Sequence, residues 1–261
     1  MTKALFKLEQ KNTLKLMLVF SILVGIFSFV IIALYPTLSD ILNQLAKENA
    51  GTELEKLLQI TNVGDYFTSN MLEIWGLFGA IFAICIAVKL TTQNFKDNSF
   101  EIVYGQNLSR KAVIKTKFLN LLLNICWFTL IVAVFSYIGL VSFIGVSKFS
   151  TLNFLVYVLI VWLITMQMGL IGFGLGMFFK RKFSTVVGVL LVLVFFIITT
   201  VSQLNVEWVG HLSPFTALTA SILDFGFNAL ADYVIGLVVW SILSSLITLF
   251  GFLKFKNEDF C

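Results

Sequence analysis

The sequence predicts an all-α membrane protein with six transmembrane helices and both termini on the cytoplasmic side. Three observations carry that prediction. The chain of 261 residues is 59% apolar, 12% charged, and holds 28 Phe but only two Pro, which is outside the range of ordinary soluble domains. Its apolar residues gather into runs of about 20, the length that crosses a bilayer core. Its basic residues are divided very unevenly between the intervening segments, and that asymmetry orients the spans.

Six spans follow at 16–35, 71–90, 113–137, 152–179, 184–204 and 233–253, all within one transmembrane domain over 1–261. The fourth is long enough to tilt or to extend past the bilayer. With an even number of spans, one side holds Lys3, Lys7, Lys11 and Lys15, the basic residues of 89–117, Lys180, Arg181, Lys182, Lys254 and Lys256. The other side holds only Lys47, Lys56 and Lys148. The rich side is cytoplasmic under the positive-inside rule. The net charge of +4 reflects the same bias and does not argue for nucleic acid as a partner.

Taken in order, residues 1–15 place Lys7, Lys11 and Lys15 at every fourth position beside Leu5, Phe6, Leu8 and Leu14. That pattern suits a helix lying in the headgroup region, or else a tail whose lysines only set topology. The first apolar run is longer than a secretory-signal core and Tyr35-Pro36 is no small-residue cleavage site, so no cleavable leader is expected. The outer segment 36–70 reads as a helical hairpin. Leu38, Ile41, Leu42 and Leu45 give one helical stripe, and Leu54, Leu57 and Leu58 another. Gly51 would end the first helix and the capping box Thr52-x-x-Glu55 would start the second. The hairpin would gate a pathway, touch a substrate or serve as a packed lid.

Span two carries Gly79, Ala83 and Ala87 at four-residue spacing, a stripe that lets helices approach closely. After it comes a polar island, 94–117, with Lys96, Asp97, Glu101, Arg110, Lys111, Lys115 and Lys117. Each such charge costs about 2.5–3.5 kcal/mol at the centre of a membrane helix, so the island is expected in water beside the membrane. Within it, 97–110 reads as a short helix broken near Gly105, Gln106 and Asn107, with Ser109 capping the next helix.

Span four ends in Gly169, Gly172, Gly174 and Gly176. A nucleotide-binding glycine fingerprint needs a preceding strand and a βαβ context, which this stretch lacks, so these glycines read as packing or bending points. The segment 205–232 is too polar to span and too apolar for a free loop. It reads as a semi-buried outer hairpin or re-entrant piece, with Trp208, Phe215, Leu218, Ile222, Leu223 and Phe227 dipping into the interface. Pro214 suits a first helical turn capped by Ser213, and His211 reads as an outer-surface residue.

No P-loop, HExxH or GxSxG occurs. Cys85, Cys126 and Cys261 read as free thiols. Charge inside the spans is confined to their ends, at Glu73, Lys89 and Asp232, whereas ion-coupled transporters keep charge at mid-membrane. Asn120, Asn124, Thr165, Gln167 and Gln203 are the polar residues at depth, read as interhelical hydrogen-bonding groups.

A membrane body with a cytoplasmic handle and no energy source of its own suggests a subunit driven by a partner. The island resembles the first cytoplasmic loop of ABC-2 type exporter permeases, whose pattern is E-x-G-T-x-E-x-x-x-x-x-P-x-S-R before a basic third span. Ser99, Phe100 and Glu101 match the T-x-E portion in kind. Leu108, Ser109 and Arg110 match the x-S-R end, and Lys115 or Lys117 fits the following lysine; Asn98 replaces the usual glycine and Asn107 the usual proline. The resemblance extends over the full length. It implies a permease that pairs with a second copy or a paralogue and docks a separate ABC-type ATPase through a coupling helix, with Asp97, Phe100, Glu101, Tyr104, Ser109 and Arg110 as contacts. ATP and Mg would then be bound by the partner, and no cofactor by this chain. The Phe-rich spans lean toward a hydrophobic or amphipathic cargo such as a peptide, toxin, antimicrobial or drug, phenol-soluble-modulin exporters being one such type. Membrane lipid completes the expected partners. A membrane immunity or sensory protein, a secondary transporter or channel and a membrane enzyme stand as alternatives.

Overall fold

The apolar runs fold as helices because a backbone in lipid satisfies its polar groups most simply within its own segment. The computed structural model describes residues 3–48, 63–96, 109–179, 183–202, 207–210, 212–220 and 222–257. Among them no strand occurs. Six helices are long and apolar enough to cross a membrane, within Ala4–Ile41, Tyr66–Gln93, Arg110–Ile144, Thr151–Phe179, Phe183–Ser202 and Ile222–Lys256.

The elements are α1 (Lys3–Glu48), α2 (Val63–Met71) running through a π-helical stretch (Leu72–Phe78) into α3 (Gly79–Lys96), and α4 (Arg110–Gly139). A second π-helical stretch (Leu140–Ile144) and a 3-10 turn (Val146–Lys148) then lead to α5 (Thr151–Phe179), followed by α6 (Phe183–Ser202). Short pieces come next: α7 (Glu207–Gly210), a 3-10 helix (Pro214–Thr219), α8 (Ile222–Phe225) and a 3-10 helix (Gly226–Tyr233). The last helix is α9 (Val234–Asn257). The centre of the bundle is α5, which packs on α3, α4, α6 and α9, while α1 packs chiefly along α4.

On α1 the two faces separate cleanly. Met17, Ser21, Val24, Ser28 and Ile32 are buried, whereas Val19, Ile22, Ile26, Phe27, Val30 and Leu34 are exposed apolar side chains. The exposed stripe at helical spacing is what a lipid-facing helix presents. The buried serines return their hydroxyls to the carbonyls one turn back, Ser21 to Met17 at 2.6 Å and Ser28 to Val24 at 2.9 Å, so they add no unsatisfied donor.

Four expectations need correction. The helix expected over 1–15 is, in its described residues 3–15, not a separate element but the opening of one continuous 46-residue helix. Its Leu5, Glu9 and Thr13 are buried, so this end gains more from packing than from leaving the bundle. Nor does α1 stop at Tyr35, since Pro36 sits inside it. A proline removes one backbone hydrogen bond and crowds the carbonyl four residues back. Here Tyr66 packs against that turn: its ring lies 5.0 Å from that of Tyr35, and its hydroxyl donates at 2.8 Å to the Ile31 carbonyl, next to the Ile32 carbonyl that the proline leaves without an amide.

Third, the first limb of the outer segment, residues 36–48, is helical as expected but continues α1 instead of forming a helix of its own. Gly51, Thr52 and Glu55 lie outside the described residues. Fourth, Lys117 does not sit in water; it is buried within the bundle at 3% exposure.

The segment before the last span is semi-buried, built from the short helical pieces named above. Ser213 accepts from the Phe215 amide at 3.2 Å, with Pro214 in the first turn. Phe215, Leu218, Ile222 and Leu223 are buried in protein, while Phe227 is exposed. Gly226 has φ of 59°, and a Cβ there would meet the Asn153 side chain at 2.6 Å. Asn153 in turn donates to the Leu223 carbonyl at 2.9 Å, fastening the segment to the first turn of α5.

Candidate functional site

Residues 97–108 join α3 to α4, and the site is built from the ends of those two helices. Asp97, Phe100, Glu101 and Tyr104 lie outside the described residues. Ser109 caps α4, its hydroxyl accepting from the Ala112 amide at 3.3 Å. Arg110 donates from Nη1 to the Lys256 carbonyl at 3.0 Å. A cation against the last carbonyls of α9 also complements the negative end of that helix. The two residues therefore start α4 and tie it to α9.

Two turns further along α4, Lys117 makes a buried ionic contact. Its Nζ donates to Glu9 Oε1 of α1 at 2.6 Å and to the Leu90 carbonyl of α3. Glu9 is itself 2% exposed. One ammonium thus holds three helices. Lys89 of α3 adds a second tie, donating to the Asn12 carbonyl of α1 at 2.7 Å. Asn120 donates to the Phe6 carbonyl at 3.4 Å, and Asn124 to Thr13 Oγ1 at 3.1 Å.

The burial of a charge pair is tolerable only when it is paired and hydrogen-bonded. The helix-spaced side chains Glu9 and Thr13 on α1, facing Lys117, Asn120 and Asn124 on α4, supply that pairing. Sequence reasoning placed Lys117 among the solvated charges and gave Glu9 no role. The available signal was the one acid among the lysines of residues 3–15 and a lysine at helical spacing before Asn120 and Asn124, but neither reveals its partner.

The small residues gather on α5. A Cβ at Gly172 would lie 3.0 Å from Ile84 Cα and 3.2 Å from Ala87 Cβ of α3; one at Gly176 would collide with the Thr91 hydroxyl. Gly169 faces Ile125 of α4, with Ala83 behind it at 3.7 Å, and Gly79 faces Phe128 and Thr165, each at 3.3 Å. Ala83 and Ala87 are fully buried. A second glycine contact joins α5 to α9: a Cβ at Gly174 would stand 2.6 Å from the Ile247 carbonyl, and one at Gly251 would stand 2.5 Å from the Gly174 carbonyl. Backbones of α5 and α9 meet there, with Thr248 donating to the Leu170 carbonyl at 2.8 Å. Gln167 binds the same helix through the Leu237 carbonyl at 3.0 Å and Ser241 at 2.9 Å.

The ends flanking 97–108 are therefore tied to each other, to α1 and to α9. Displacing either end must move α1 and α4 with it, because slipping would leave the Glu9–Lys117 charges uncompensated. Close glycine contacts carry the same displacement from α3 to α5 and on to α9, since packed interiors transmit strain.

At the opposite end, the π-helical stretch widens α3 where Trp75 donates to Ser28 Oγ at 2.8 Å. Phe67, Trp75, Phe154 and Tyr157 pack edge-to-face around it. π-helical insertions are frequent at functional sites. Among the described residues no cluster of His, Cys, Asp or Glu has metal-binding geometry. Cys85 and Cys126 are free thiols, and His211, Gln203 and Cys261 lie outside the described residues.

Residues 4–260 match the family model described as ABC-2 family transporter protein. No curated protein matches the chain.

Proposed function

The chain belongs to the ABC-2 family of transporter proteins, a multi-pass membrane component, and from that premise we propose that it is the exporting permease of an ATP-driven pump. In this reading it pairs with a second permease, its own copy or a paralogue, and docks separate ABC-type ATPase subunits through 97–110. ATP and Mg are held by those subunits, and the termini and the docking segment face the cytoplasm. The cargo is hydrophobic or amphipathic, in keeping with the 15% aromatic content and the Phe-rich spans.

The observation that supports coupling most directly is the tie made by Lys117. A docking segment works as a lever only if the helices on either side of it move together, and one ammonium bridging α1, α3 and α4 meets that requirement. A rigid-body movement imposed on 97–108 then reaches the rest of the bundle.

The test is reconstitution with the ATPase partner. Glu101→Lys and Arg110→Glu are expected to insert and fold, yet to lose export sharply, with the ATPase either dissociating or hydrolysing ATP without stimulation by cargo. Normal export with intact partner affinity would remove the basis for the coupling assignment.

A further inference from the structure

A groove of 340 Å³ opens between α4 and α9 with α5 as its floor, within the range of about 300–1,000 Å³ typical of small-molecule sites. Its floor is Phe173 and Met177, one turn apart on α5. One wall is Phe118, whose ring meets that of Phe173 edge-on at 6.0 Å, and the other is Phe252. The two wall helices each pack on α5. Thr248 and Ser245, which also line the groove, have their hydroxyls engaged by the Leu170 and Ser241 carbonyls. The body of the groove is therefore apolar.

Its charge lies at one end. Lys111 and Lys115 line the groove on the first turns of α4 and are both exposed. The nearby bases are already occupied: Arg110 by the Lys256 carbonyl, Lys117 by Glu9, and Lys254 by the Phe178 ring at 3.7 Å. Among the described residues lining the groove there is no carboxylate. The outer surface of α9 beside it, with Leu249, Phe250 and Leu253 exposed, is the surface of a membrane span.

We infer that this groove seats one phospholipid of the surrounding bilayer with an anionic headgroup. The phosphate lies between Lys111 and Lys115, and an acyl chain runs down over Phe173 and Met177. Basic pockets between transmembrane helices select anionic headgroups in this way. An apolar slot with two cations at its mouth and no carboxylate in its lining favours an anionic amphiphile over a neutral one. The inference goes beyond the transport reading and requires only that the helices span a membrane.

Native mass spectrometry of the full chain, without ATPase or cargo, tests it with phosphatidylglycerol and phosphatidylcholine of identical acyl chains. The unmodified protein is expected to retain one phosphatidylglycerol more tightly than phosphatidylcholine, by about fivefold for each lysine. Lys111→Gln with Lys115→Gln should erase the preference while leaving the protein folded. Leu249→Trp, which fills the groove from its exposed rim, should weaken retention of both lipids.

Equal retention of the two lipids by the unmodified protein overturns the inference, as does a preference that survives the double substitution. Efficient disulfide cross-linking of Leu249→Cys between copies in a bilayer would also overturn it, by assigning the groove to a second chain. None of these results bears on ATPase docking, so this site and the transport reading fail separately.

Discussion

Glu9 and Lys117 are separated by 108 positions and meet at 2.6 Å in a place that excludes water. Such a pair need not be a net source of stability, because desolvating both charges offsets their attraction. Breaking it is a different matter. Glu9→Leu or Lys117→Met alone strands a buried charge or its carbonyl partner, and each is expected to destabilise the protein by about 3–5 kcal/mol. The double substitution Glu9→Leu with Lys117→Met should recover most of that loss, because it removes both charges together. Thermal unfolding of the solubilised protein over this double-mutant cycle is the measurement; single effects that simply add would show that the two side chains are not coupled. If the double variant is stable yet fails to export when reconstituted, the pair serves to lock α1 to α4 and not merely to hold the fold.

Helix contacts depend on which face a glycine occupies. Gly172 and Gly174 stand two residues apart on α5, and their missing side chains open opposite directions, one onto Ile84 and Ala87 of α3, the other onto the Ile247 backbone of α9. Gly172→Leu forces α3 away and is expected to lower stability or assembly by about 1–3 kcal/mol, as overpacking does, with nucleotide affinity of the ATPase partner unchanged. Gly174→Ala should destabilise as well, because its neighbour is a backbone carbonyl that cannot rotate aside. Gly236→Ala on α9 provides the contrast: nothing lies within 4 Å of its added methyl, so the unfolding temperature should hold. Binding of ATP by the purified chain alone, abolished by Gly172→Leu, would contradict the packing role of these glycines.

At the scale of the molecule, orientation rests on fifteen of the eighteen basic residues falling on one side. A cysteine introduced at Lys56 should react with a membrane-impermeant thiol reagent in intact cells. Cys261 should react only after the membrane is opened. Labelling of Cys261 from outside would refute the arrangement with both ends in the cytoplasm. Neither native thiol within the described helices confuses the assay, as Cys85 is partly buried and Cys126 lies on a span, turned to the apolar surroundings.

The class of the fold and the six spans were legible in the sequence because they follow from local, additive quantities. About 20 apolar residues suffice to cross a bilayer wherever they occur, and spans at 152–179 and 184–204 came out within two residues of the helices Thr151–Phe179 and Phe183–Ser202. The cap at Ser109 and the Ser213–Pro214 turn were legible for the same reason, since each depends on neighbours within a few positions. The continuity of α1 through Pro36 was visible only in the tertiary structure, where Tyr66 packs against that turn from thirty-five positions beyond Ile31. Tertiary structure alone decided that Lys117 is buried and that Gly174 meets α9. A charge is expensive in lipid until a partner is supplied, and whether a partner arrives is set by how helices pack, not by the residues beside it in the chain.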